Sequence, residues 1–341
     1  MLESILLPYF AEISFVILIA IIIITIYTLS KGADLLVSEA VVLSLKFGIS
    51  KTLIGATIIS LGTTLPEAAV SVLSAIRGRP ELALGNAVGS IICDTGLILG
   101  LVAILAPLPL DRKLVNKQGL IQLGCGIILI LSCVPYTNIG DIFKSGGVLP
   151  RYIGFIFVIL LFFYLGLSYI WARGGTLDNN FNNNNNHKGS GNTIVLIKLI
   201  LGILLVVASA EILIPAVVET AHRMHIPTSI IAATLVAFGT SVPELATAIV
   251  SVRRGHGEIA LGNIIGADIL NVLFVAGTAA AVTKDGLIAG PIFFITLFPS
   301  MLLILLIFRL GVIFSKEYFK RFFAILLLGL YLGITILNYI I

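Results

Sequence analysis

The chain has 341 residues, of which 58% are hydrophobic and only 11% are charged, and its mean hydropathy is +1.13. Because soluble domains carry about 25% charged residues, most of this chain is predicted to lie in lipid. The net charge of +4 is too small to indicate nucleic acid as a partner. The three cysteines form neither a disulfide framework nor a CxxC motif. The four histidines fall in or near predicted loops, which argues against a histidine metal site inside the membrane.

Apolar segments long enough to cross a bilayer follow one another along the whole chain. A helix needs about 20 apolar residues to cross about 30 Å of hydrocarbon, so the sequence predicts an all-α polytopic membrane protein with about ten transmembrane helices. The predicted spans are 10–44, 50–76, 81–107, 117–136, 151–172, 193–222, 228–252, 258–283, 288–308 and 318–340. The N-terminal segment lacks the basic region and cleavage site of a signal peptide and is predicted to be the first span. The first and sixth spans exceed a perpendicular crossing and are expected to be tilted.

Lysine and arginine residues are distributed unevenly between the two sets of predicted loops. About 15 of the 21 lie in or beside the set that includes the central loop, and about 6 lie beside the other set. Because positively charged loops stay in the cytoplasm, both termini are predicted to be outside the cell (inner or plasma) membrane and the central loop inside. This loop, 173–192, is rich in Asn and Gly and is predicted to be a flexible linker. It separates a predicted five-helix repeat, 1–172, from a second one, 193–341.

An internal repeat relates the two halves. Residues 52–100 align without a gap on residues 229–277 at a constant offset of 177, and about 19 of the 49 positions are identical. Five spans separate equivalent positions, so the two copies enter the membrane from opposite sides. Inverted repeats of this kind are typical of secondary transporters, whose substrate site lies near the midplane between the repeats.

Each copy places a glutamate, Glu67 or Glu244, directly after a proline inside an apolar span. Intramembrane carboxylates are energetically costly and are expected to be functional. Pro66 and Pro243 have no N–H, so the backbone carbonyl four residues earlier is free in each copy. Carboxylate, carbonyl and hydroxyl oxygens together suit a hard cation such as Ca²⁺ or Na⁺. An ordinary proline kink with a glutamate facing a water pocket is the alternative, and it explains one copy better than two inverted ones.

The second helix of each copy carries polar residues at a spacing of four, which keeps them on one helical face. These positions are Asn86, Ser90 and Asp94 in the first copy, and Asn263, Ala267 and Asn271 in the second. The glycines around them, Gly85, Gly89, Gly262 and Gly266, are predicted to allow close helix packing. Asp268 lies one residue off this face, and Ile91 is its counterpart in the first copy. It either touches the site or is a structural acid, and the sequence does not distinguish the two.

The motifs GTTLPE with GNAVGS, and GTSVPE with GNIIG, resemble the two α-repeats of the cation/Ca²⁺ exchanger superfamily, in its Na⁺/Ca²⁺ exchanger branch. The resemblance implies an antiporter rather than an enzyme, in which Glu67 and Glu244 are the central ligands shared by Ca²⁺ and Na⁺. It implies further ligands, namely the carbonyls of Thr63 and Thr240 for Ca²⁺, and Ser60, Thr64, Ser90, Ser241 and the backbone of Ala237 for Na⁺. Asp94 and Asn271 would lie beside these central sites. No cofactor, nucleic acid or protein partner is implied beyond the transported ions and the bilayer.

Two departures from the family pattern qualify the resemblance. Ala267 stands where the family usually has a hydroxyl, which removes one expected Na⁺ ligand. Asn271 stands where relatives that also carry K⁺ use an acid, which argues mildly against dependence on K⁺. The remaining alternatives are a K⁺-dependent exchanger, an H⁺/Ca²⁺ antiporter, whose branch has a GNxxE element that is not found here, and a passive cation channel. An intramembrane hydrolase is not favoured because no serine near the acids has a histidine or lysine partner.

Overall fold

The computed structural model describes residues 2–136, 139–174, 192–224 and 238–340. Within these ranges the chain folds almost entirely into helices, with one pair of short strands. Seven of the helices described are long and apolar enough to cross a membrane, and one bent pair makes an eighth. The predicted all-α polytopic membrane fold is therefore confirmed.

The helices of the N-terminal half are α1 (Leu2–Glu12), α2 (Phe15–Phe47), α3 (Lys51–Thr63), α4 (Leu65–Ile76), α5 (Pro80–Leu105), α6 (Arg112–Cys133), α7 (Ile142–Ser145) and α8 (Arg151–Gly174). Strand β1 (Gly147–Leu149) precedes α8. In the C-terminal half they are α9 (Asn192–Arg223), α10 (Val242–Arg253), α11 (Gly257–Val282), α12 (Phe293–Phe314) and α13 (Arg321–Ile340), with strand β2 (Leu287–Ala289) before α12. Wider π-helical turns lie at Gly55–Ile59 in α3, Cys93–Leu99 in α5, Asn271–Ala276 in α11 and Phe293–Leu297 in α12.

The predicted spans agree with these helices, with three qualifications. The first predicted span corresponds to α2, which begins at Phe15 rather than at residue 10. The Ser14 hydroxyl accepts a hydrogen bond from the Ile17 N–H and caps α2 there. The ninth predicted span corresponds to α12, which begins at Phe293 rather than at residue 288, because the preceding residues 287–289 pair as strand β2. The seventh predicted span, 228–252, is described only from residue 238, and nearly all of the predicted linker, 173–192, lies outside the described residues.

Helix α1 is held against the end of α9 by a single arginine. The Arg223 guanidinium donates hydrogen bonds to the carbonyls of Phe10 (2.7 Å) and Ile13 (2.8 Å), and to the Glu219 carboxylate (2.7 Å). Phe10 also packs with Leu18 in a small apolar cluster. The fixed fork of the guanidinium suits two carbonyls and a carboxylate at once, so α1 is anchored by backbone groups that its own helix leaves unpaired.

Replacing Arg223 with Ala is expected to release α1 while leaving the bundle folded. Hydrogen bonds to a charged group contribute about 2 kcal/mol each, and losing that amount speeds local opening about 30-fold. Hydrogen exchange of residues 2–12, followed by mass spectrometry, measures this change. The matched control is Arg79→Ala, at an exposed arginine. Unchanged exchange in Arg223→Ala would contradict the anchoring role.

The two longest helices, α2 and α9, have 33 and 32 residues and pack on each other along their length. Their backbones approach closely at two glycines. A Cβ built on Gly32 would lie 2.8 Å from the Cβ of Leu205, and one built on Gly202 would lie 2.8 Å from the Leu36 nitrogen. The pair is closely packed, and residues of both helices share an apolar cluster with α3, α10 and α11 that includes Leu36.

Short antiparallel pairings between the loops join the two halves of the protein. Strand β1 pairs with β2, so that Val148 lies opposite Ile288. The loop after α5 pairs in the same way with the loop before α13, where the Leu110 N–H donates to the Glu317 carbonyl (2.8 Å) and the Phe319 N–H to the Leu108 carbonyl (2.9 Å). In each pairing, the loop that follows α5 or α11, the second helix of a repeat, contacts a loop of the other half. The two pairings therefore correspond to each other as the two repeats do.

Candidate functional site: two broken helices with buried glutamates

Each repeat contains a helix that breaks just before its glutamate. Helices α3 and α4 form a pair that bends by 44° at Thr64. In the second copy, Phe238 and Gly239 are helical, a turn follows, and α10 begins at Val242. A proline stands at the start of each second segment, where its missing N–H does no harm. The prolines and their positions thus account for both breaks, and each glutamate lies in the first turn after one.

The two glutamates are buried and close enough to interact. Glu67 and Glu244 are each only 1% exposed, and the charge of Glu244 acts directly on Glu67. Among the described residues, neither carboxylate oxygen of Glu67 has a hydrogen-bond partner, and Oε2 of Glu244 has none. The Thr64 hydroxyl donates to Oε1 of Glu244 (3.4 Å), and Thr240 is the neighbouring hydroxyl of Glu67. Buried carboxylate oxygens without donors are costly, so this arrangement is suited to hold a cation.

A hydrogen bond between a threonine of one copy and an asparagine of the other occurs at equivalent positions in both directions. The Asn86 amide donates to the Glu67 carbonyl (3.3 Å) and the Ser71 hydroxyl (3.0 Å), and its oxygen accepts from the Thr240 hydroxyl (3.3 Å). In the second copy, the asparagine of the GN element also contacts a hydroxyl of its own copy and the threonine of the other copy.

In that second copy, the Asn263 amide donates to the Thr247 hydroxyl (3.1 Å), and its oxygen accepts from the Thr63 hydroxyl (3.4 Å). Each asparagine therefore fixes the broken helix of its own copy and the threonine of the other. The sequence reasoning placed Asn86 and Asn263 on the polar face but did not assign them this bracing role. Their occurrence in both GN elements is the signal that could have revealed it.

The predicted serine positions fall around the same centre. Ser90 and Thr240 bring their hydroxyl oxygens to 3.4 Å. Ser60 is buried and donates to the Thr57 carbonyl (3.3 Å), while the buried Ser241 hydroxyl has no hydrogen-bond partner. The prediction for Ala237 lies outside the described residues.

Asp94 and Asn271 occupy equivalent places, each in a π-helical turn. Both are buried, and within the part of the chain that is described both oxygens of Asp94 and the amide of Asn271 lack hydrogen-bond partners. The charge of Glu244 acts on Asp94, and Ser241 is a neighbour of Asp94. Ala267 is also fully buried, so its position adds no hydroxyl to the centre. The acid–amide pair makes the site electrically asymmetric although its backbone is symmetric.

Asp268 has different neighbours from the two glutamates. Its Oδ2 accepts hydrogen bonds from the Thr95 hydroxyl and from the Gln122 amide (2.5 Å). It therefore belongs to a contact between α5, α6 and α11, beside the central site rather than in it. The hydrogen bonds to Oδ2 agree with the interpretation of Asp268 as a structural acid. Its Oδ1 has no partner among the described residues, and a purely structural role does not explain that.

Close contact between α3 and α11 brings the two copies together. A Cβ built on Gly262 would lie 2.0 Å from the Thr52 carbonyl oxygen, and one built on Gly266 would lie 2.4 Å from that of Ala56. The predicted packing role of these two glycines is confirmed. With no side chains between them the helix backbones touch, and Asn263 comes within hydrogen-bond distance of Thr63.

No group of three or more His, Cys, Asp or Glu side chains in the described part of the chain has the geometry that holds a resident metal. The centre instead combines two carboxylates with hydroxyls and opened backbone from both copies. A helical bundle of inverted repeats with such a centre defines a membrane transporter, not an enzyme.

Comparison with known proteins identifies the family. The family model described as "Sodium/calcium exchanger protein" matches residues 17–170 and 194–340. The solved structure of the sodium-calcium exchanger NCX_Mj soaked with zero Na⁺ and Ca²⁺ superposes with a TM-score of 0.78 at 27% identity, covering 96% of this chain and 100% of that one. The chain therefore belongs to the sodium/calcium exchanger protein family, whose NCX_Mj fold it shares with ten transmembrane helices.

Two curated relatives span nearly the whole chain. "Inner membrane protein YrbG" of Escherichia coli is 32% identical over 293 residues, which cover 85% of this chain and 87% of the relative. "Sodium/calcium exchanger MaX1" of Methanosarcina acetivorans is 27% identical over 340 residues, which cover 92% and 96%. The protein is accordingly an integral multi-pass membrane transporter of the cation/Ca²⁺ exchanger family.

Proposed function

We propose that the protein is a secondary-active antiporter that exchanges Na⁺ for Ca²⁺ by alternating access. The observation that carries the proposal is the pair of buried, interacting glutamates, Glu67 and Glu244, on two broken helices. Three of their four carboxylate oxygens have no hydrogen-bond partner among the described residues. A shell of this kind is made of hard oxygen ligands. Each of the two repeats, 1–172 and 193–341, would contribute one glutamate to this centre.

The proposed ion ligands are those that the resemblance to the exchanger repeats implies. Glu67 and Glu244 bind either one Ca²⁺ or several Na⁺, and never both fully, because the ions share the same carboxylate oxygens. The proposed supporting ligands are the carbonyls of Thr63 and Thr240, the hydroxyls of Ser60, Thr64, Ser90 and Ser241, and the backbone of Ala237, with Asp94 and Asn271 beside them. Competition for shared oxygens is what couples the two fluxes.

Access would change by movement of the α2–α9 pair against the other helices. This pair packs against both breaks, since a Cβ built on Gly62 would lie 2.6 Å from Ile203, and one built on Gly239 would lie 3.4 Å from Ile214. Without a cation, the two glutamates repel each other in a buried site and disfavour the switch. With a cation bound they are neutralised, so the pair can slide. Each elementary charge moved adds about 2.3 kcal/mol per 100 mV of membrane potential.

The names and solved structures of relatives support the proposed Na⁺/Ca²⁺ exchange. MaX1 is named a sodium/calcium exchanger, and solved structures of NCX_Mj were soaked with Na⁺ and Ca²⁺ or Sr²⁺. YrbG is named an inner membrane protein, so we place this chain in the cell membrane. The charge bias of its loops orients both termini outside and the central linker, 173–192, in the cytoplasm.

An H⁺/Ca²⁺ antiporter is the second candidate function. Asp94 and Asp268 favour it, because they add two buried carboxylates without a cationic partner to the two glutamates. Protons are the alternative counter-ions that such acids accept.

Ca²⁺ uptake into proteoliposomes tests the two candidates directly. Vesicles loaded with Na⁺ are diluted into Na⁺-free medium containing Ca²⁺, and the initial rate is compared with that of vesicles diluted into equal Na⁺. An outward Na⁺ gradient is expected to drive uptake, while an imposed pH gradient without Na⁺ drives none. Uptake that follows the pH gradient and ignores Na⁺ would replace the proposal with proton coupling.

A further inference from the structure

A second polar cluster lies beside the central site and is centred on Asp268. Oδ2 of Asp268 in α11 accepts from the Thr95 hydroxyl in α5 and from the Gln122 amide in α6 (2.5 Å). The Gln122 amide also donates to the Thr95 hydroxyl oxygen (3.2 Å). All three side chains are at most 2% exposed. One carboxylate oxygen is therefore fully engaged by donors inside the bundle.

The other oxygen of Asp268 is not engaged. Oδ1 is buried and lacks a hydrogen-bond partner, and the ion pairs seen in the described residues involve other acids, namely Glu39, Glu219 and Asp34. The charge of Asp268 also acts on Asp94, both of whose oxygens are unpartnered. A buried carboxylate without a compensating positive charge is strongly disfavoured, so Oδ1 requires a positive ligand for at least part of the transport cycle.

The surroundings of Asp268 select the chemistry of that ligand. A metal cation needs several oxygen ligands, whereas here the Thr95 hydroxyl and the Gln122 amide turn hydrogens toward the carboxylate. These donors occupy Oδ2 and stabilise its ionised form, so only Oδ1 is left to bind a ligand, and one carboxylate oxygen alone does not make a metal site. A proton on Oδ1 removes the buried charge and leaves Oδ2 as the acceptor of both donors. We propose that Asp268 is a proton-binding residue, separate from the Glu67–Glu244 pair, which is protonated when the central site is empty and releases its proton when Ca²⁺ binds.

Charges on the neighbouring helices set the direction of this exchange. The buried ionisable groups described on the helices packed against α11 are Glu67 on α4, Asp94 and Cys93 on α5, Cys125 and Cys133 on α6, Tyr164 on α8 and Glu244 on α10. The residues of α3 from 52 to 63 include none. In an empty site the acids among these groups repel a charged Asp268 and favour its protonated form. Ca²⁺ reverses the sign of the local field, and the proton leaves.

The inverted repeat does not supply a second site of this kind. Ile91 is the counterpart of Asp268 in the first copy, and it is a buried apolar residue. Proton binding would therefore act from one half only. It goes beyond Na⁺/Ca²⁺ exchange, because it makes Ca²⁺ affinity depend on pH through a residue that need not touch Ca²⁺.

Infrared difference spectroscopy of the purified full-length protein tests the proposal without any Na⁺ gradient. Adding Ca²⁺ to the wild type is expected to remove a carbonyl-stretch band of a protonated carboxylic acid, and part of that band is expected to be absent in Asp268→Asn. Asp285→Asn, at an exposed aspartate, is the matched control. Identical difference spectra in the wild type and Asp268→Asn would overturn the proposal, because an acid that is ionised throughout gives no such band.

Thr95→Val keeps the proposal testable if Asp268→Asn does not fold. Removing one donor from Oδ2 destabilises the ionised form, so the midpoint of the pH dependence of Ca²⁺ binding is expected to move to higher pH. An unmoved midpoint would count against proton binding at Asp268. These binding assays use no Na⁺, so their failure is distinguishable from a failure of Na⁺ coupling, which only the vesicle experiment detects.

Discussion

Glu67→Gln is expected to abolish Ca²⁺ uptake driven by a Na⁺ gradient, with the initial rate falling at least about 100-fold. The substitution keeps the size of the side chain but removes one of the two facing carboxylates of the centre. Unit charges about 4 Å apart interact with about 4 kcal/mol at the effective dielectric of a protein, and each 1.4 kcal/mol, roughly, changes an affinity tenfold. Uptake of radioactive Ca²⁺ into proteoliposomes measures the effect.

Two companion variants make this result specific. Glu244→Gln is expected to be equally inactive, because Glu244 holds the equivalent position in the inverted copy. Glu317→Gln makes the same chemical change at an exposed loop residue and is expected to transport normally. If Glu67→Gln retained more than about a tenth of the wild-type rate while folded, corresponding to a loss of less than about 1.4 kcal/mol, the centre would lie elsewhere.

Gly262→Ala is expected to destabilise the protein by about 3 kcal/mol or more, since overpacking of a tight core costs up to about that much even when side chains can move. Here the new Cβ would lie 2.0 Å from the Thr52 carbonyl oxygen. The obstacle is backbone, so the two helices themselves must separate. That separation would also move Asn263 away from Thr63, whose contact joins the two copies. Thermal unfolding in detergent and the yield of monodisperse protein measure the loss.

The matched control for this prediction is Gly124→Ala in α6. A Cβ at Gly124 meets no atom within 4 Å in the described structure, so the substitution is expected to be neutral or to stabilise the helix by up to about 1 kcal/mol. Equal melting temperatures for the two variants would contradict the direct contact between α3 and α11. A stable but inactive Gly262→Ala would show that the contact serves transport more than folding.

The distinct roles of Asp94 and Asp268 illustrate how the two halves can share a backbone and differ in charge. The repeat places Asp94 opposite Asn271 and Asp268 opposite Ile91. Both acids are buried, and Asp268 accepts hydrogen bonds from side chains on α5 and α6. An inverted repeat therefore supplies a symmetric frame, and single substitutions on it decide where charge is available to bind cations.

The amino-acid pattern alone predicted the membrane class, the approximate spans and the inverted repeat. It could do so because crossing a bilayer requires long apolar helices, which leave a strong local signal. It also singled out Glu67 and Glu244 as predicted cation ligands, because a carboxylate directly after a proline inside an apolar span occurs in both copies. The packing role of Gly262 and Gly266 could also be predicted, because small residues at a spacing of four favour close helix contact.

Only the tertiary structure decided which side chains meet across the repeats. The bracing by Asn86 and Asn263, the anchoring of α1 by Arg223, and the partners of Asp268 all join residues more than a hundred positions apart or on different helices. Apolar periodicity says which face of a helix is buried but not which helix covers it. The pairings depend on how the helices cross, and backbone contact at a few glycines fixes that crossing, so it becomes visible only in three dimensions.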